Sequence, residues 1–206
     1  RMALMNNFKK TLFFIIFFFM ANPSLAENFI DNGKMKGVLH GVYDAYSEFF
    51  VEDGDIIYFD YIKEFKYVDD YKMAPVVITF DPEHLFVLTS SDGEKIAVID
   101  YLSRDNNPIS KALRVCLDEQ SSTMGSSWCY GQGIDHWKIV IRVLNERLQR
   151  YYPELAPAYI SKAEEYKEAY FALLRRRGEG GGTQTIVGNA SSVYGFYADR
   201  AYDLYS

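Results

Sequence analysis

Cysteine is scarce in this chain, with two residues in 206, and histidine is hardly commoner, with three. His40, His84 and His136 contain no pair four residues apart and no HExxH, so no metal centre can be read from local spacing. A GxSxG elbow is missing, and so is a phosphate loop with lysine before serine or threonine. The run Gly178-Glu179-Gly180-Gly181-Gly182 has no such lysine and follows a helical segment instead of a strand, so it reads as a connector. Around Gly125-Ser126-Ser127-Trp128-Cys129-Tyr130 the comparison is with papain-type thiol enzymes, but there cysteine precedes tryptophan, and His136 lies too near for that family's spacing. Asp81, Glu83 and His84 form the densest polar cluster, and Asp81-Pro82 reads as the turn between two strands. The expectation is therefore a non-enzymatic protein with no catalytic residue, no metal ligand and no cofactor.

Positive charge is also in deficit, with 22 Lys and Arg against 28 Asp and Glu, a net charge of −6. Such a balance argues against nucleic acid and anionic membranes as partners and suits a basic protein.

Long apolar runs are absent except for one. Lys9 and Lys10 precede the stretch from Thr11 to Met20, and Ser24-Leu25-Ala26 follows as a small-x-small site with cleavage expected before Glu27. Residues 1–26 thus read as a secretory signal peptide, the one segment expected to meet a membrane, and that only transiently. The rival reading is a membrane anchor, which needs roughly 20 apolar residues, about twice what the run supplies. No cysteine follows the run to accept a lipid, so a soluble periplasmic or secreted protein of a bacterial envelope is expected. With the leader go Arg1, Lys9 and Lys10; 19 basic residues then face 28 acidic ones, a net charge near −9. In an oxidising compartment Cys116 and Cys129, close in sequence, are expected to form one disulfide across a short loop, two free thiols being the alternative.

What the chain does hold is tyrosine, 17 residues, and two successive periodicities. Short β-rich runs occupy Ile56 to Tyr61, Val76 to Phe80, Leu85 to Thr89 and Lys95 to Tyr101, within a stretch beginning about Asp55. The last two flank Asp92-Gly93, a hairpin signal whose two-residue turn would need positive φ at both positions. Before them, Val38, Val42, Tyr46 and Phe49 share a helical stripe, which predicts a helix over 36–50. After Pro108 the period becomes helical. Asp135 is the expected cap of a helix to about Tyr151, with Ile139, Val140, Val143, Leu144 and Leu148 on one face and Pro153 as its stop. Pro157 opens a second helix, in which Tyr159, Ala163, Tyr166, Tyr170 and Leu173 form a seam suited to another helix. Arg175, Arg176 and Arg177 suit its last turn, with Gly178 beyond, and a final helix is expected from Ser191 to Leu204. The fold class is α+β: an N-terminal antiparallel β-rich region, residues 27–110, then a C-terminal helical bundle, residues 111–206.

From Cys116 onward the order of elements carries a resemblance. Cys116, Met124 and Cys129 are followed by Leu144-Asn145, then Ala169-Tyr170, then Gly181-Gly182-Thr183, then Arg200-Ala201-Tyr202-Asp203-Leu204. This series resembles the LprI-type, lysozyme-inhibitor-like family of small exported helical domains. The chain departs from that pattern where Tyr170 takes a tryptophan position, Leu174-Arg175 an Arg-Asp pair, and Ser192 a cysteine. Residues 27–115 lie outside the resemblance. It implies a small helical bundle pinned by Cys116–Cys129, with Leu144, Asn145, Tyr170, Gly181, Gly182, Thr183, Arg200 and Leu204 as family positions. It further implies binding to a lysozyme or to cell-wall components, with the loop Glu179 to Thr185 as the first place to look for an inhibitory residue. Two rivals are a periplasmic solute- or metal-binding module, whose metal-ligating histidine is missing before Ser192, and a cell-wall hydrolase, for which no acid/base pair stands out.

Overall fold

Alternation of buried and exposed side chains begins immediately in the computed structural model, which describes residues 33–42, 47–51, 54, 56–104, 106–178 and 181–205. The leader expected over residues 1–26, and Asp55, lie outside these. Among the described residues, no helix is long and apolar enough to cross a membrane.

The described residues form six strands: β1 (Met35–Val42), β2 (Ser47–Val51), β3 (Ile56–Glu64), β4 (Pro75–Asp81), β5 (Leu85–Ser90) and β6 (Lys95–Asp100). Their order, β1-β2-β3-β6-β5-β4, closes into a barrel because β4 returns to pair with β1, and every pairing is antiparallel. Closure leaves no free edge to recruit another strand. Two three-stranded meanders thus lie side by side, joined by a 3-10 turn, Val68–Tyr71, whose Val68 is buried.

The helix expected over 36–50 is instead the hairpin β1–β2. Met35, Gly37, Leu39 and Gly41 point inward while Lys36 and His40 are exposed, a period of two. Two of the four inward positions are glycine, so the apolar pattern that remained visible mimicked a helix. The β5–β6 hairpin stands where Asp92-Gly93 placed it, but by a different turn. Only Gly93 takes positive φ, +89°; the Ser90 carbonyl accepts from the Gly93 N–H at 3.0 Å, and the Ser90 N–H donates to Glu94 at 2.9 Å. A three-residue loop ending in left-handed glycine is the result.

The strands differ in how they face the rest of the molecule. In β3 the outward residues Ile56, Tyr58 and Ile62 are exposed, whereas β5 is buried from Leu85 through Thr89 and β6 from Ile96 through Ile99. Both faces of the β4-β5-β6 meander are covered, one by the barrel interior and the other by helices.

Those helices are α1 (Pro108–Glu119), α2 (Thr123–Tyr151), α3 (Ala156–Gly178) and α4 (Thr183–Tyr205). Asn107 caps α1, accepting from the Ser110 N–H at 2.9 Å, with Pro108 in the first turn. The cap of α2 is Ser122, which accepts from Gly125 N–H at 3.0 Å; Asp135, the expected cap, lies well inside the helix and pairs with Lys138. The stop before Pro153 and the arginine-rich last turn of α3 stand as expected. The last helix starts at Thr183, earlier than the expected Ser191.

Barrel and helices share one core. Trp137, Val140, Ile141 and Leu144 of α2, with Ala198 and Ala201 of α4, belong to the same buried cluster as Phe49, Ile78, Phe86 and Ile99 of the barrel. The small residues Ala198 and Ala201 let α4 lie close along α2. A second cluster surrounds the disulfide Cys116–Cys129, which ties α1 to the first turns of α2. Asn107 knots the junction: its amide nitrogen donates to the Ser103 carbonyl at 2.6 Å and to the Tyr202 hydroxyl of α4 at 2.8 Å.

His136 sits on the barrel side of α2, edge-on to Phe80 at 4.8 Å, its Nδ1–H donating to the Gln132 carbonyl at 2.8 Å. Burial disfavours the charged ring and holds its pKa below the ordinary 6.5. As pH falls through 6.5 the unfolded chain takes up this proton before the folded one does, so stability falls until the folded pKa is passed. Urea unfolding between pH 7.5 and pH 5 should show this loss, and His136→Gln should flatten that part of the curve; parallel curves for both proteins would refute it.

Candidate functional site

The seam on α3 meets a helix that does not fill it. Facing Tyr159, Ala163, Tyr166 and Tyr170, α4 presents Ser192, Gly195, Phe196, Asp199, Arg200 and Asp203, and a cleft of ≈ 650 Å³ remains between the two. A Cβ added at Gly195 would meet nothing within 4 Å. Tyr159 is 43% exposed and Tyr166 65%, where a packed seam would bury both. Leu173, the last seam residue, is exposed as well.

The floor of the cleft is aromatic. Phe196 stacks on Tyr170 at 5.0 Å and 14°, and on Tyr166 at 5.8 Å and 30°. The Tyr170 hydroxyl is tethered to the Ser192 carbonyl at 3.4 Å. Polar groups ring this floor: Lys162, Ser192, Asp199, Arg200 and Asp203. Below α3 a second cleft of ≈ 540 Å³ opens, lined from α2 by Lys138, Arg142, Asn145 and Glu146 and from α3 by Glu164 and Lys167. Arg200 lines both clefts.

Most charges here are already matched. Lys138 pairs with Asp135 at 2.8 Å, Arg142 with Glu146 at 3.9 Å, Lys162 with Glu165 at 3.1 Å and Asp199 with Arg104 at 3.5 Å. Lys167 pairs with Glu164, whose hydrogen bond raises the lysine above its ordinary range. Among the described residues Arg200 makes no ion pair or hydrogen bond, and its Nη2 is buried without an acceptor. Asn145 Oδ1 is buried without a donor.

The cluster Asp81, Glu83 and His84 does form, with ligand atoms within 4.8 Å of one another. Asp81 Oδ1 accepts from the N–H groups of Glu83 and His84, both at 2.9 Å, closing the turn that Asp81-Pro82 predicts. Lys95 Nζ sits 2.5 Å from Asp81 Oδ2, in the seat a cation would take. Burial works against this carboxylate, but the hydrogen bonds from Lys95, His84 and Glu83 outweigh it and keep its pKa below the usual range. The cluster is thus a turn closed by an ion pair. At the other end of the sheet Arg147 joins α2 to Asp100 of β6 at 3.1 Å, and burial, with Asp100 nearby, pushes Tyr205 up to about 12.

The residues that carry the resemblance separate into three groups. Asn145, Tyr170 and Arg200 come together around the clefts. Leu144 is buried in the shared core and Leu204 packs against it. Gly181 and Gly182 form the link into α4, of which Thr183 is the first residue, and none of the three lines a cleft. Of the loop Glu179 to Thr185, Glu179 and Gly180 lie outside the described residues, and in the first turn of α4 Thr183 and Gln184 are exposed and Thr185 half-buried. Phe196 was legible only as part of the expected last helix and Asp203 only as part of the Arg200–Leu204 motif, and Asp199 carried no signal; the pairing of α3 with α4 gives the three their place. A helical face is legible as a cleft wall only when its partner is known.

The fold and the cleft define an α+β protein: among the described residues, a closed six-stranded barrel backed by helices, with an aromatic-floored cleft between the last two of them. No family model, curated protein or solved structure matches the chain.

Proposed function

We propose that this is an exported, non-enzymatic protein of the cell envelope that binds saccharide in the cleft between α3 and α4. The single observation carrying the reading is the aromatic floor of Tyr166, Tyr170 and Phe196 ringed by hydrogen-bonding side chains. A pyranose ring has apolar C–H faces and hydroxyl edges, and a site that alternates ring faces with polar groups meets both. The exposed tyrosines also form the kind of apolar patch that marks a ligand groove. Export is supported by the leader-like pattern of residues 1–26 and by the disulfide. The LprI-like order of motifs belongs to the same proposal, since three of its positions, Asn145, Tyr170 and Arg200, line the clefts. A concave site favours the cell-wall side of that resemblance over a residue inserted into a lysozyme.

Sedimentation with purified peptidoglycan tests the proposal. The protein from Glu27 onward is expected to co-sediment, and Tyr166→Ala to weaken binding about tenfold, roughly the loss of one stacking contact. Binding that ignores Tyr166→Ala would refute the cleft as the site, and release of new reducing ends would refute the non-enzymatic reading. Inhibition of lysozyme turbidity clearance without sedimentation would replace glycan binding by the lysozyme reading.

A further inference from the structure

Resting on the saccharide reading, we infer that the ligand carries a carboxylate, and that Arg200 receives it. Arg200 lies where the two clefts meet. Among the described residues, the other cations lining the clefts, Lys138, Arg142, Lys162 and Lys167, each have a carboxylate partner, and Arg200 has none. A guanidinium stays protonated and carries five N–H donors, so it holds its charge whether matched or not. A buried N–H without an acceptor destabilises the fold, and more so when the group is charged. Arg200 Nη2 is in that position in a chain whose overall charge is negative.

Among the described residues no hydrogen bond or ion pair holds the Arg200 side chain, so turning it toward the first cleft breaks none. Its natural counterpart is planar and singly negative, because a carboxylate matches the guanidinium fork and balances one charge. A phosphate dianion would leave a negative charge uncompensated beside Asp203 and Glu146, which line the same clefts. Asn145 supplies a second, complementary demand. Its buried Oδ1 lacks a donor and lines the second cleft with Arg200, so an acid with a neighbouring hydroxyl or amide N–H meets both. The structure therefore assigns Arg200 as the group that distinguishes acidic from neutral saccharides on an otherwise aromatic platform.

The test compares acidic sugars with neutral sugars built on the same ring. Calorimetric titration with N-acetylmuramic acid against N-acetylglucosamine, and with glucuronic acid against glucose, gives the preference directly. Wild-type protein is expected to bind each acid about tenfold more tightly than its neutral partner, with the preference shrinking as salt is raised. Arg200→Gln should abolish the preference, weakening the acid of each pair more than its neutral partner, and Arg200→Lys should retain part of it. Asn145→Ala, with Arg200 in place, should weaken both members of each pair and keep their ratio. Thermal melts confirm that each variant is folded. Equal affinity for acid and neutral sugar in the wild type, or a preference that survives Arg200→Gln, would overturn the inference and leave the saccharide cleft standing. Competition by inorganic phosphate at the same concentration as the acid would overturn the carboxylate assignment. No binding of any sugar by the wild type would overturn the saccharide reading and this inference with it.

Discussion

Trp137→Ala should lower the unfolding free energy by about 3–5 kcal/mol, the usual range for emptying a large aromatic site in a core. Trp137 is fully buried on α2, with its ring 5.5 Å from Tyr202 and 6.3 Å from Tyr194, both on α4. It also belongs to the cluster that includes the barrel residues Phe86 and Ile99. One side chain therefore joins three parts of the molecule, and none can close over the space it leaves without shifting the others. Against a typical total of roughly 5–15 kcal/mol, a loss of that size removes much of the stability. Urea denaturation followed by circular dichroism measures it. Should the alanine variant prove too unstable to purify, Trp137→Phe keeps most of the volume and is expected to lose less than half as much. A loss below about 1 kcal/mol for alanine would show that the barrel and helices are not coupled through this residue.

Breaking Cys116–Cys129 should cost about 3 kcal/mol, the loop-entropy value for a bridge closing a loop of roughly this length. The cysteines are 13 residues apart, and the bridge pins the last turns of α1 to the first turns of α2. Those first turns include Gly125, Gly131 and Gly133, residues that weaken a helix by about 1 kcal/mol each relative to alanine. The bridge therefore stabilises the part of α2 least able to hold itself. Denaturation of oxidised protein and of a Cys116→Ser, Cys129→Ser double variant gives the magnitude. Hydrogen exchange gives the location: α1 and the start of α2 should lose protection well before the barrel does. Uniform loss of protection across the barrel would contradict this account.

The strands from Ile56 to Asp100 were legible because each carries its apolar residues on the chain itself, either alternating as in β3 or continuous as in β5. The first hairpin was not, since Gly37 and Gly41 occupy inward positions without adding apolar character. Closure of the barrel was also hidden. It depends on β1 meeting β4, with Met35 opposite Ile78, a pairing of residues far apart in the chain that no local pattern records. Helix ends at Tyr151 and Gly178 followed from Pro153 and the basic last turn, which act locally. Helix beginnings at Ser122 and Thr183 did not, because the glycines and small polar residues there are poor helix formers and are carried by their surroundings.

At the candidate site the division is the same. The seam on α3 was visible as spacing, and its resemblance-derived neighbours Asn145 and Arg200 were visible as motif positions. That the seam stays open is a property of two helices together: Ser192 and Gly195 are too small to fill it, while Phe196 stacks within it.

By itself, the sequence determined the β-then-helix order, the acidic balance, the leader-like run and the presence of two cysteines able to pair, all of which depend on composition or on neighbours in the chain. Tertiary structure alone decided that six strands close into a barrel, that α2 and α4 share its core, and that Tyr166, Tyr170 and Arg200 surround one cleft. Those features depend on contacts between residues distant in sequence, whose energies appear only when the segments meet.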